Sequence, residues 1–226
     1  MRLEKIDILR WIAIIFMVFF HLNYSLVEIF WINDLNFNNN FFYILWKISA
    51  FLFIFIAWFS AFLTYFKSPQ KSNIKYLKSI LKLWFFALLI SLWTYYFMRT
   101  EYIRFWIIHF FAVSYLLLIL FKRFWSYNIL FWILAIIFWI FATPVINFKY
   151  LYFLWFTYPW FKSADFYPVL PYFWIILIWF WVWKIFSKYN LLQIFELKNK
   201  NFLTKFLTFL WQHSLLIYLT HQIIIV

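Results

Sequence analysis

The chain has 226 residues, is 68% hydrophobic with a mean hydropathy of +0.85, and carries 20 Lys and Arg against 7 Asp and Glu, a net charge of +13. That much apolar surface exceeds what one soluble core hides, and the apolar runs reach membrane-spanning length, so the expectation is an all-α polytopic membrane protein. The absence of cysteine excludes disulfides, thiolate metal sites and cysteine nucleophiles, and His21, His109, His213 and His221 lack metal-ligand spacing, so no metal is expected.

Taken in chain order, the opening "MRLEKID" leads into a long apolar stretch without a small-residue cleavage site, which predicts an uncleaved first span. Seven spans are predicted, at about 8–30, 41–66, 80–98, 105–121, 128–143, 169–187 and 206–226. With the N-terminus cytoplasmic, 15 of the 20 Lys and Arg fall in cytoplasmic segments, among them Lys67, Lys71, Lys75, Lys78 and Lys82. Only Arg99, Arg104, Lys149 and Lys162 fall outside, and Lys47 lies near the outer end of the second span. The positive-inside rule selects that orientation, and it accounts for the basic charge without nucleic acid. Residues 1–226 are expected to form a single domain in the inner cell membrane.

Two outside segments stand apart. One is the Asn-rich "INDLNFNNN" (32–40). The other is the aromatic connection 144–168, with Pro144, Pro159 and Pro168, which is too interrupted to span and is expected to lie at the interface or re-enter the membrane. At its end, Ser163 or Asp165 is placed to cap the sixth span, with Pro168 in the first turn.

The chain has no Gly and 17 Trp. Average usage of about 7% predicts roughly 16 Gly, and membrane helices use more Gly than soluble ones. An aromatic belt at the headgroups serves for Trp31 or Trp160, but not for Trp139 or for the cluster Trp174, Trp179, Trp181 and Trp183 along one span. Phe, Ile, Lys, Asn and Tyr are abundant and have AT-rich codons. The expectation is that most Trp stand where the cell inserts Gly, through UGA codons read as glycine. An indole at such a position wedges apart a helix contact that Gly allows to close.

Ionisable groups inside a bilayer are costly and mark cavities, partner helices or function. In the first span, Arg10 and His21 are eleven residues apart, about 20° off one helix face and roughly 16 Å along the axis. Asp7 lies one turn before Arg10, and Glu28 falls almost on the same line. Asp7–Arg10 reads either as an interfacial i,i+3 pair or as part of a site. His21 reads either as an interhelical hydrogen bond or as a general base, since its ordinary pKa near 6.5 suits that role. His109, about one turn into the fourth span, lies at a comparable expected depth. Arg99, Glu101 and Arg104 precede it, as a solvated turn or as an acceptor site. In "HSLLIYLTHQ", Ser214, Tyr218 and His221 share a face, for helix packing or for substrate.

With these residues assembled, the chain resembles the small bacterial membrane proteins that share the heparan-α-glucosaminide N-acetyltransferase catalytic domain. "DILRWIAIIFMVFFH" stands for the family's Asp-x-x-Arg-Gly-x-Ala opening, and "RFWIIHFFAVS" for Phe-Gly-Ile-Leu-His. "ADFYPVLPYFW" stands for Asp-x-x-Pro-x-x-Pro, and "WQHSLLIYLTHQ" for Gly-x-x-Ser-Leu-x-x-Tyr-x-x-His-Gln. Trp11, Trp106, Trp174 and Trp211 fall where that pattern has Gly. The Arg-x10-His arrangement also looks like that of the wider transmembrane acyltransferases that decorate glycans. The animal enzyme has a functional His in the loop after its first span, and residues 31–40 contain none, Asn33 and Asp34 being the nearest polar residues.

The resemblance implies a membrane acyltransferase that takes acetyl from cytoplasmic acetyl-CoA and passes it to an amino or hydroxyl group of an extracytoplasmic sugar. Arg10 is then expected to contact the donor's phosphates and His21 to be the base, with His109 as second base or oxyanion partner. Asp165 or His221 would orient a base or the acceptor, with Arg104 and Tyr218 on the substrate side. The rival readings are a transporter or flippase of a small polar or lipid-linked solute, and a membrane subunit without chemistry. Membrane lipid, acyl-CoA and a sugar are the expected partners.

Overall fold

In the computed structural model every regular element among the described residues is helical. It describes residues 4–29, 40–99, 102–124, 127–142, 149–157, 160–163 and 165–195, together with 216, 217, 220 and 221. The helices are α1 (Glu4–Tyr24), α2 (Asn40–Lys67), α3 (Ser72–Met98), α4 (Ile107–Phe121), α5 (Tyr127–Ala142) and α6 (Val169–Lys188). A π-helix, Ser25–Ile29, extends α1, and short 3-10 turns cover Lys122–Phe124, Lys149–Leu154 and Leu191–Phe195.

Among the described residues, four helical stretches are long and apolar enough to cross a membrane: Lys5–Val27, Phe41–Lys67, Ser72–Phe97 and Ile107–Phe124. α5 is a shorter apolar helix, and at 1.5 Å per residue its 16 residues reach about 24 Å, short of a hydrocarbon core about 30 Å thick. The sixth predicted span coincides with α6, and most of the seventh lies outside the described residues.

α3 begins eight residues before the predicted third span. Lys is a good helix former and no Pro follows Pro69 until Pro144, so the basic cytoplasmic segment before the predicted span is part of the helix. The π-helix changes the register of α1. Its wider turn advances each residue by less than the 100° of an α-helix. In α6, Leu170 has non-helical angles (φ −92°, ψ 137°), as expected of a residue before a proline, here Pro171.

The described chain divides into two compact units, one of Met1–Trp58 with Phe186–Val226 and one of Phe59–Ile185. In the first, the Ser49 hydroxyl donates to the Ala13 carbonyl at 2.9 Å, joining α2 to α1. In the second, α3 packs along α4, and the Tyr76 hydroxyl donates to the Ala61 carbonyl at 2.7 Å. Lys122 is buried where α4 ends. Its ammonium donates to Ser72 Oγ at 2.7 Å and to Asn73 Oδ1, with the Tyr65 and Tyr76 rings at 5.0 and 5.3 Å. It pins the end of α4 to the start of α3.

The large aromatic residues behave differently from one another. Trp160 is 86% exposed, as a headgroup residue is, whereas Trp58 and Trp183 are fully enclosed and Trp106 is buried. The Trp183 ring centroid lies 4.1 Å from that of Phe59, closer than the roughly 4.5–7 Å usual for aromatic pairs. Trp11 is half-buried; Trp31, Trp211 and the side chains of Trp174 and Trp179 lie outside what is described.

Candidate functional site

Among the described residues, polar groups predicted for the site occur in both units. In the first unit, α1 carries both ends of the expected line. Arg10 Nη1 donates to Asp7 Oδ1 at 3.0 Å, a charge-assisted pair with both side chains largely shielded. The i,i+3 spacing places the carboxylate beside the guanidinium.

Eleven residues on, the half-buried His21 imidazole meets that of buried His221, ring centroids 4.9 Å apart. Phe20 stands edge-on to His21 at 5.3 Å. Ser25, one turn beyond His21, is fully buried, and neither its Oγ nor Asn23 Oδ1 has a hydrogen-bond partner among the described residues. The π-helix starts at Ser25, and such irregular turns cluster at functional sites. Two residues predicted for the site from opposite ends of the sequence are therefore brought together, in company with unpaired polar atoms. Tyr218 and Ser214 lie outside the described residues.

In the second unit, α4 opens at Ile107 behind an extended Trp106 (φ −88°, ψ 170°). The Trp106 backbone N–H donates to His109 Nδ1 at 3.2 Å, so His109 closes the first turn of its own helix. That bond uses the imidazole's lone pair at Nδ1 and places the proton of the neutral ring on Nε2, which faces Ser91 Oγ at 3.3 Å. The Ser91 hydroxyl in turn donates to the Ile103 carbonyl at 2.7 Å. Trp84 and Phe105 flank the ring at 5.7 and 5.6 Å. The nitrogen a second base needs is thus occupied, and what remains to His109 is a donor's role.

Asp165 sits on the same junction. The segments around Phe105 and Phe166 form a parallel bridge in which the Tyr167 N–H donates to the Phe105 carbonyl at 2.9 Å. The Arg104 N–H donates to Ser163 Oγ at 3.2 Å, and the Ser163 hydroxyl to the Asp165 carbonyl at 2.7 Å. Asp165 Oδ1 accepts from the Phe166 N–H at 2.9 Å, and the Trp106 side chain donates to the same carboxylate. Desolvation outweighs these two bonds and raises the Asp165 carboxyl to about 7. Burial, with Asp165 and Tyr172 nearby, also holds the Tyr167 phenol above its ordinary value.

Neither Ser163 nor Asp165 caps α6 among the described contacts; both instead fasten the junction between residues 102–106 and 162–167. Arg104 belongs to it as well. Its Nε donates to the Lys162 carbonyl at 3.0 Å, and the guanidinium lies 4.6 Å from the Tyr102 ring. Ser91 and the Trp106 backbone are site residues that sequence reasoning missed, because nothing in a helix pattern announces a side chain that bonds across to a distant carbonyl.

No group of three or more His, Cys, Asp or Glu suited to a metal occurs among the described residues. For an acyl-CoA donor the residues fit in one respect: a cation for its phosphates stands at the start of α1, where Asp7 orients the Arg10 guanidinium. Searches of the curated proteins and of the solved structures found no match. Against known families, residues 2–223 match the family described as heparan-alpha-glucosaminide N-acetyltransferase, catalytic. That match runs through both clusters and nearly the whole chain, and the chain belongs to this N-acetyltransferase catalytic family.

Proposed function

We propose that this chain is a multi-pass acyltransferase of the inner membrane, moving acetyl from cytoplasmic acetyl-CoA to an amino or hydroxyl group of an extracytoplasmic sugar. Family membership supports the acetyl transfer, and the pairing of His21 with His221 is the observation that carries the assignment of the base.

Acetyl-CoA, when bound, supplies a thioester whose carbonyl carbon is open to attack. Arg10, steadied by Asp7, holds the donor's phosphates. His21 accepts the proton of the attacking amine or hydroxyl as the new C–N or C–O bond forms and the C–S bond breaks; the proton then passes to the departing thiolate. His221, packed on His21, fixes that ring's orientation. Asp165, protonated up to about pH 7, is the O–H donor assigned to the acceptor, and His109 holds the first turn of α4. Arg104 and Tyr218 are assigned to the acceptor from their place in the sequence, and the chain is taken as one domain.

The test is transfer of label from acetyl-CoA to a sugar amine by purified protein in liposomes. Wild-type protein should label the sugar, and His21→Ala should lower the rate by about 10²–10⁴-fold. Full transfer by His21→Ala would overturn the base assignment, and movement of a solute without acyl transfer would replace the enzyme reading with a transporter.

A further inference from the structure

We propose that the basic stripe on the first three turns of α3 is a docking surface for anionic lipid headgroups. Lys71, at the N-cap of α3, and Lys75, Lys78 and Lys82 are all exposed. At 100° per residue the four fall within about 60° of one another. The rotation of the helix is fixed from its other side, where Ser72, Tyr76, Ile80 and Ala87 are buried, Tyr76 bonds the Ala61 carbonyl and Lys122 holds Ser72.

The same outward line continues beyond Lys82 through Leu89, Trp93 and Tyr96, which are 48, 64 and 78% exposed. It is basic for three turns and lipid-soluble afterwards. A face that meets hydrocarbon along its later turns meets the headgroups of the same lipids along its earlier ones, so the lysines are not turned into an aqueous groove between helices. Ile74, Leu77 and Leu81, exposed beside the lysines, fit that boundary and would be misplaced in a water-filled substrate channel.

Length and charge agree. α3 has 27 residues, about 40 Å, but its apolar remainder from Leu83 to Met98 covers only about 24 Å of a core about 30 Å thick. Lys78 and Lys82 therefore extend their ammonium groups back toward the surface, at the level of the lipid phosphates. The sequence has no Asp or Glu between Asp34 and Glu101, so α3 offers these lysines no acidic partner of its own. In the unit Phe59–Ile185 the acids are Glu101, which follows α3, and Asp165, bonded beside α4's first residues. A lipid phosphate supplies the missing charge.

The experiment uses the full chain in phosphatidylcholine nanodiscs with and without phosphatidylglycerol, reading retained lipid by native mass spectrometry. Wild type should retain phosphatidylglycerol preferentially. At about fivefold per lysine, combining Lys75→Gln, Lys78→Gln and Lys82→Gln should reduce the preference about a hundredfold, while the three Lys→Arg changes keep it. Millimolar pyrophosphate should not displace the lipid. An unchanged preference in the triple Gln variant overturns the proposal, and displacement by pyrophosphate overturns it in favour of a soluble-phosphate site. If the triple variant does not fold, Lys78→Gln alone should show the fivefold loss, and its absence is equally decisive.

Discussion

Replacing Asp165 by Asn should remove one pH-dependent contribution to the protein's stability between pH 5 and 8. In the folded chain the carboxyl holds its proton up to about 7, whereas its ordinary value is 3.8. A native pKa above the unfolded one means that the folded state binds the proton more tightly. The contribution is therefore fully present below about pH 4 and is lost as pH rises toward 7. Between pH 5 and 8 the two values give a loss of about 3 kcal/mol, at 1.36 kcal/mol per pKa unit. Asn keeps an oxygen for the Phe166 N–H and the Trp106 side chain but cannot ionise, so the variant should escape that loss. The assay is thermal or denaturant unfolding of the purified protein at pH 5 and pH 8. From pH 5 to pH 8 wild type should lose the equivalent of about 6–12 °C more stability than Asp165→Asn does. If the variant lost as much stability as wild type between the two pH values, the burial argument for Asp165 would be refuted.

Three further outcomes are expected. His109→Ala should lose about 1 kcal/mol of unfolding free energy, the scale of a helix cap, because the Trp106 N–H loses its acceptor; His109→Asn, whose oxygen can occupy the Nδ1 position, should recover most of it. Lys122→Ala should destabilise by about 3 kcal/mol through two hydrogen bonds from a charged donor, measured by the same unfolding assay, with Lys122→Arg intermediate. Mass spectrometry of the protein from its native cell should show Gly at Trp11, Trp58, Trp106, Trp174 and Trp211, each lighter by one indolylmethyl group; UGG codons at these positions would sink that idea.

How much of this was legible in the sequence depended on how far apart the interacting residues lie. The Asp7–Arg10 pair follows from a three-residue spacing, and α1, α2 and α4 begin or end within a few residues of their apolar runs. α3 starts eight residues before the predicted span because hydropathy marks only the apolar part of a helix, whereas lysine favours helix where no breaker intervenes. The π-helix that ends α1 was invisible because apolar periodicity at 100° per residue presumes no π-turn. At the second cluster, Asp165 and His109 were readable as residues but not as a pair linked through position 106. One bond there uses a backbone N–H, and the others join segments some 60 residues apart.

The junction between Phe105 and Phe166 also sets an order of events during synthesis. Arg104 leaves the ribosome about 60 residues ahead of Ser163, which at about 5–20 residues per second is a wait of roughly 3–12 seconds. During that interval α3 and α4 can already pair, while the carbonyl of Phe105 and the amide of Arg104 await partners that do not yet exist. The acidic half of the second cluster is thus the late-maturing half: a nascent chain stalled before residue 163 would carry His109 in place and still lack Asp165 altogether.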